Sequence, residues 1–202
     1  MSITRLDQIK EKNIQSVKDL TKLGVNPFPV KTNRTHTNTE GVEKDGLKVA
    51  VAGRLMSWRG HGKIRFADLV DQTGKIQLVF KADEIDEKSL ENLRFIDRGD
   101  FLQASGETFT TKAGERSVLV KKYVLLVKAI LPLPSQWHGL KDVEERYRKR
   151  YLDMILNPEV TSRLETRSKL ITNMREFLDK RGFLEVETPT LQPVYGGGFA
   201  KP

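Results

Sequence analysis

The chain reads as a mainly β protein with flanking helices. A five-stranded barrel is expected, preceded by an N-terminal helix and followed by the opening helix and strand of a second unit. Three observations carry that expectation. The hydrophobic period switches from helical to alternating at Leu47. Alternating runs separated by turn residues then recur up to Leu133. A stretch without proline or glycine follows Pro158. The expected organisation is an N-terminal helix and extended connector over 1–46, a barrel over 47–133, a linker over 134–150 and the start of a further domain over 151–202.

Thr4 is placed to cap a helix in which Leu6, Ile9, Ile14, Val17, Leu20 and Leu23 recur mostly at intervals of three, with Gly24 placed to end it. Its polar face carries Arg5, Lys10, Lys12, Lys18 and Lys22. Such a face is commonly just solvated, and it suits a phosphate backbone too. "NPFPVKTNRTHTNTEG" is rich in proline, hydroxyl and amide side chains and reads as an extended connector.

"LKVAVAGRLMS" places Leu47, Val49, Val51, Gly53 and Leu55 on one face and Lys48, Ala50, Ala52, Arg54 and Met56 on the other. "KIRFADLVD" and, after the turn "DQTG", "KIQLVFKA" are the second and third strands. "DEIDEKSLENLRFIDRG" reads as a helix with acidic residues in its first turn, which suits the helix dipole. "DFLQASGETFTT", a "KAGE" turn and "RSVLVKKYVLLVKA" complete the set. Three strands, a helix and two strands form the layout of an OB-fold, a small Greek-key barrel whose open face binds oligonucleotides.

"LPLPSQWHGLK" is a proline-bearing linker. Asn157 and Pro158 then supply an N-cap and a first helical proline, and the helix runs on to Arg181 before Gly182 stops it. "FLEVET" reads as a strand. One helix and one strand cannot bury their apolar faces alone, so association through dimers or loose aggregates is expected of the isolated piece.

Composition narrows the function classes. With 38% hydrophobic and 31% charged residues the chain resembles a soluble globular protein. No apolar run approaches the roughly 20 residues of a membrane-spanning helix, and the N-terminus lacks a signal-peptide core, so the cytoplasm is the expected compartment. The absence of cysteine excludes disulfides, thiolate zinc sites and cysteine nucleophiles, and three scattered histidines speak against a metal site. A net charge of +8 favours a polyanionic partner, and the surplus is largest in the barrel segment.

Reading unpaired bases requires an aromatic platform and hydrogen-bonding groups matched to base edges. Arg54 lies opposite the apolar row of the first strand. Gln77 lies opposite Ile76, Leu78 and Phe80, and its amide both donates and accepts. Phe66 stays open: Ala67 and Leu69 as the inner row would leave it exposed, whereas Ile64 and Phe66 fit the core equally well. Glu115 is by default a solvated turn residue. Trp58, Arg59, His61 and Lys63 sit in and beside the first barrel loop, "SWRGHGK", where the tryptophan suits covering the barrel end and the basic pair Arg59 and Lys63 suits phosphate contact.

Several segments resemble the class II lysyl-tRNA synthetases. "HGLKDVEERYRKRYLD" looks like that family's linker between anticodon-binding barrel and catalytic domain, "RGFLEVETP" is similar to the first class II signature, and "YGGGFAKP" resembles its glycine-rich loop. The resemblance spans essentially the whole chain. It implies an anticodon-binding OB-fold followed by the truncated start of an α+β catalytic domain, a tRNA(Lys) partner, a homodimer, and lysine activation with ATP and Mg2+ in the complete enzyme. No catalytic residue and no cofactor site is expected in this fragment, which should bind tRNA without catalysis. The resemblance assigns Arg54, Phe66, Gln77 and Glu115 to the anticodon, Gly182, Phe183 and Pro189 to the dimer-interface signature, and Gly196 and Gly197 to the lysine-substrate loop. There Tyr195 and Gly198-Phe199 depart from the family's usual form. Arg59, Lys63, Arg146, Arg148 and Arg150 are weaker candidates for the tRNA backbone. The alternative is a freestanding OB-fold protein for single-stranded nucleic acid, which leaves the class II signature without a role.

Overall fold

The computed structural model describes residues 4–61, 63–134 and 140–191. The chain divides into two compact units, 1–133 and 134–202.

The first unit begins with α1 (Arg5–Lys22), entered through a reciprocal capping box in which Thr4 and Asp7 satisfy each other's backbone amides. Its buried positions are Asn13, Ser16 and Leu20, whereas Leu6, Ile14 and Leu23 are exposed. The apolar stripe expected from spacing is therefore only partly the packed one. Leu20 joins the barrel core, and Asn13 Nδ2 donates to the Ile130 carbonyl at 3.1 Å. Within the expected extended connector sits a short helix, α2 (Asn38–Gly41), with its own capping box between Thr37 and Glu40. Asn38, fully buried, donates to the carbonyls of Leu69 and Gly74.

The barrel comprises β1 (Lys48–His61), β2 (Ile64–Val70), β3 (Lys75–Lys81), β4 (Phe101–Thr110) and β5 (Arg116–Val127), closing in the order β1-β2-β3-β5-β4. The expected five strands are all present. One pairing is parallel, β3 with β5, and the rest are antiparallel. β1 pairs with β4 through its first half and with β2 through its second, and Arg54 belongs to both ladders. It is longer than the alternation suggested, because the glycine-bearing segment "SWRGH" remains in strand geometry as far as His61. A bulge between Leu55 and Ser57 adds Met56 as an extra residue. That insertion reverses the side-chain parity downstream, so Trp58 turns toward the core, edge-on to Phe80 at 5.2 Å between ring centroids.

Val51, Leu55, Ala67, Leu69, Leu78, Leu102, Ala104, Val118 and Val120 are fully buried inside the barrel. The helix expected across 83–99 is shorter, α3 (Glu87–Asn92) followed by a 3-10 turn over Leu93–Phe95. Asp86 caps it by accepting the Ser89 amide at 2.9 Å, which leaves Asp83 and Glu84 before the helix. At one end of the barrel the fully buried Lys128 ammonium donates to Asp97 and Asp100, each at 2.9 Å. Burial pushes the Asp100 carboxyl up, with Lys128 and the Asp97 and Ala129 amides opposing that.

In the second unit α4 (Val143–Arg148), α5 (Arg150–Leu156) and α6 (Pro158–Asp179) follow one another closely. Asn157 occupies the N-cap position of α6 but makes no side-chain capping bond. Its amide donates instead to Asp153 at 2.7 Å. The strand expected at "FLEVET" is absent. Residues 183–189 have no strand partner among the described residues, and a strand without a neighbour leaves its backbone groups unpaired. Leu170, Met174, Phe177, Phe183, Leu184 and Val186 are exposed.

Candidate nucleic-acid interface

Strand alternation decides which side chains of the barrel face outward. On β2, Ala67 and Leu69 enter the core, so Phe66 and Asp68 point the other way. On β3, Ile76, Leu78 and Phe80 are core, which sends Gln77 and Val79 outward. Phe66 is thus not core, and it stands half-buried between its cross-strand partners Arg59 and Val79.

The registers lay these residues out in rows. Ser57, Asp68, Gln77 and Ser117 are successive partners across β1, β2, β3 and β5, and Arg59, Phe66, Val79 and Leu119 form the adjoining row. An aromatic ring and an amide therefore lie beside each other on one sheet face.

Gln77 does not stand free. It is only 4% exposed, its Nε2 donates to Glu115 Oε2 at 2.7 Å, and its Oε1 accepts from Ser117 Oγ at 3.0 Å. These two bonds fix which end of the amide is donor and which is acceptor. Nε2 retains a second N–H. Glu115 is correspondingly no mere solvated turn residue, since it receives Gln77 and also lies 3.3 Å from Lys75 Nζ. The turn that carries it is closed by the Thr111 amide donating to the Glu115 carbonyl at 2.9 Å.

Arg54 is also outward, and its guanidinium is engaged by neighbours within the barrel. Nη1 donates to the Gly99 carbonyl at 3.3 Å, and the guanidinium lies 4.2 Å from the Phe101 ring centroid. Both partners are on the β4 side of β1, away from the row of Gln77. Burial pushes its pKa down. Arg59 is exposed, with Nη2 3.8 Å from Asp68 Oδ1, and Lys63 is exposed at the β1–β2 turn.

The basic cluster of the second unit divides in two. Asp153, fully buried, accepts from Arg146 Nε at 2.8 Å, Arg150 Nη1 at 2.6 Å and Asn157. Desolvation would raise its pKa, yet Asn157, Arg146 and Arg150 hold it below the ordinary carboxylate value. Arg146 and Arg150 therefore brace the α4–α5 corner through Asp153. Arg148 is exposed and pairs with Glu144 one turn away at 2.7 Å. Gly182 adopts φ +80° where the chain leaves α6, a conformation that favours glycine. Phe183 is 64% exposed, and Pro189 is exposed. Gly196 and Gly197 lie outside the described residues.

Asp68, Ser57 and Ser117 belong to the same face and were not singled out from sequence. The alternation that puts Phe66 outward also puts Asp68 there, and that was the available signal. Ser57 was hidden by the bulge, which no periodicity announces.

Comparison with known proteins follows the same division of the chain. A family model described as an OB-fold nucleic acid binding domain matches residues 49–126. One described as tRNA synthetases class II (D, K and N) matches residues 142–202. A protein of Clostridium perfringens named lysine–tRNA ligase is 47% identical over 97% of this chain and 41% of its own length. A lysine–tRNA ligase of Clostridium botulinum is 45% identical over 97% of this chain and 40% of its own length. The chain thus spans about two fifths of the relatives it matches.

Proposed function

The chain belongs to the class II lysyl-tRNA synthetase family, and from that premise we propose that its barrel, residues 47–133, reads the unpaired anticodon bases of tRNA(Lys). The complete enzyme activates lysine with ATP and Mg2+, transfers it to the tRNA, and works as a cytoplasmic homodimer. The chain alone binds RNA without charging it.

One observation carries the reading: Phe66 and Gln77 share the outward face of the barrel, on adjacent cross-strand rows, with the Gln77 amide held in one orientation by Glu115 and Ser117. A stacking platform beside an oriented amide supplies the two things base recognition needs, surface for the ring and direction for its edge. The positive net charge adds the sequence-independent attraction to phosphate. Among the described residues no cluster of three or more His, Asp or Glu side chains could hold a metal ion.

Filter binding with RNA hairpins tests the proposal. A UUU loop should outcompete a scrambled loop of equal length, and binding should weaken as salt rises because phosphate contacts release counterions. Equal affinity for the two loops would reduce the barrel to a general single-strand binder.

A further inference from the structure

Asp68 lies directly across from Gln77 on the outward face, one row from Phe66. Its two carboxylate oxygens are in different situations. Oδ2 accepts the Ser57 hydroxyl at 2.6 Å, and the Asp68 amide donates to the same hydroxyl oxygen at 3.1 Å. Oδ1 is buried and has no hydrogen-bond partner among the described residues. The ammonium of Lys75 at 3.7 Å and the guanidinium of Arg59 at 3.8 Å lie beyond hydrogen-bond reach of it. Both cationic side chains are more than half exposed, at 54% and 58%. Buried polar atoms are nearly always paired, and an exception asks for an explanation.

The neighbouring amide supplies one. Gln77 Nε2 spends one N–H on Glu115 and keeps another, while its Oε1 is already engaged by Ser117. An unpaired acceptor and a directed donor therefore stand at one cross-strand pair. A carboxylate accepts only, whereas an amide could turn over and donate.

We propose that Asp68 is a specificity-determining residue whose Oδ1 accepts the ring N–H of the unpaired base stacked on Phe66, while Gln77 Nε2 donates to the adjacent carbonyl oxygen. The proposal rests on the anticodon reading and sharpens it. The base class it selects carries a ring N–H beside a carbonyl, as uracil does at N3 and O4. Cytosine offers a bare ring nitrogen there, and its lone pair would face the carboxylate. Arg59 and Lys75 hold the carboxylate only loosely and are long enough to turn to the flanking phosphates when RNA binds.

The test uses the full chain and hairpins whose UUU loop is changed to C one position at a time. In the native chain one position should discriminate U from C by about tenfold or more, as expected for loss of a charge-assisted hydrogen bond. In Asp68→Asn the ratio at that position should fall to about threefold or less, because the amide presents either end. The ratio is the readout, since removing a negative charge raises affinity for every RNA. If the native chain prefers the UUU loop and Phe66→Ala weakens it, yet Asp68→Asn keeps the full ratio, the assignment is overturned while the anticodon reading survives. If the native chain shows no loop preference, the anticodon reading falls and takes the assignment with it. Should Asp68→Asn lose its native circular dichroism, N3-methyluridine placed at each loop position is titrated against the native chain. A tenfold loss at one position supports the assignment, and no loss at any position overturns it.

Discussion

Phe66 and Gln77 ask different things of a ligand, and substitution should separate them. Stacking is worth roughly 1–3 kcal/mol per base and is tolerant of sequence, so Phe66→Ala should weaken UUU and scrambled loops alike by about tenfold. Base-edge bonds carry the sequence information, so Gln77→Ala should bring the two loops closer in affinity. Glu115→Gln should do so as well, because an amide in its place could turn an N–H toward Nε2 and release the orientation of Gln77. Retained loop preference in Glu115→Gln by competition titration would show that the orientation is set elsewhere. Asp71 offers a test by pH. Burial opposes its ionisation, but the Thr73 hydroxyl and the Asn38, Thr73 and Gly74 amides prevail and hold its pKa below the ordinary 3.8. A depressed folded pKa contributes stability that is present above 3.8 and is lost as pH falls through the folded value. Urea midpoints should therefore decline on acidification through that range, and less so in Asp71→Asn.

Strands and helices show where local pattern and packing part company. β3 was legible because Ile76, Leu78 and Phe80 recur at every second position and all three enter the core, although Gln77 and Val79 between them are buried as well. β1 was legible only as far as the bulge at Met56, since an extra residue changes which face every later side chain takes. The capping box that starts α2 was written in "TNTE", yet four residues carry too little periodicity to be seen as a helix. Close backbone approach is similarly invisible in sequence. At Gly106, beside the β4 irregularity, a Cβ would come within 1.9 Å of the Leu119 carbonyl oxygen. Gly106→Ala should therefore cost at least about 2 kcal/mol, read as a lowered denaturant midpoint. Lys128 ties the end of β5 to the residues before β4. Lys128→Met would strand the buried Asp100 carboxylate, at a cost of about 3–5 kcal/mol. An unchanged midpoint would mean that Asp100 finds another partner or takes up a proton.

The two units differ in how completely they cover themselves. The barrel encloses its apolar side chains and is sealed in part by Leu20 of α1. The second unit leaves Leu170, Met174, Phe177, Phe183 and Leu184 exposed along and beyond α6. Apolar patches of this kind drive association, so the isolated chain should scatter light above its 23.0 kDa monomer mass. A clean monomer at tens of micromolar would contradict this. The residue types and their alternation, read without coordinates, were enough for five strands, for the long helix after Pro158 and for a basic chain suited to a polyanion, because each of these is a property of neighbouring positions. Whether Phe66 faced outward, whether Gln77 and Arg54 stood free, and what Arg146 and Arg150 were for could not be settled in that way. Those questions depended on strand register and on contacts between residues such as Gln77 and Glu115, 38 positions apart. Only closure of the barrel brings such groups within hydrogen-bonding distance, and only there does an amide acquire a direction.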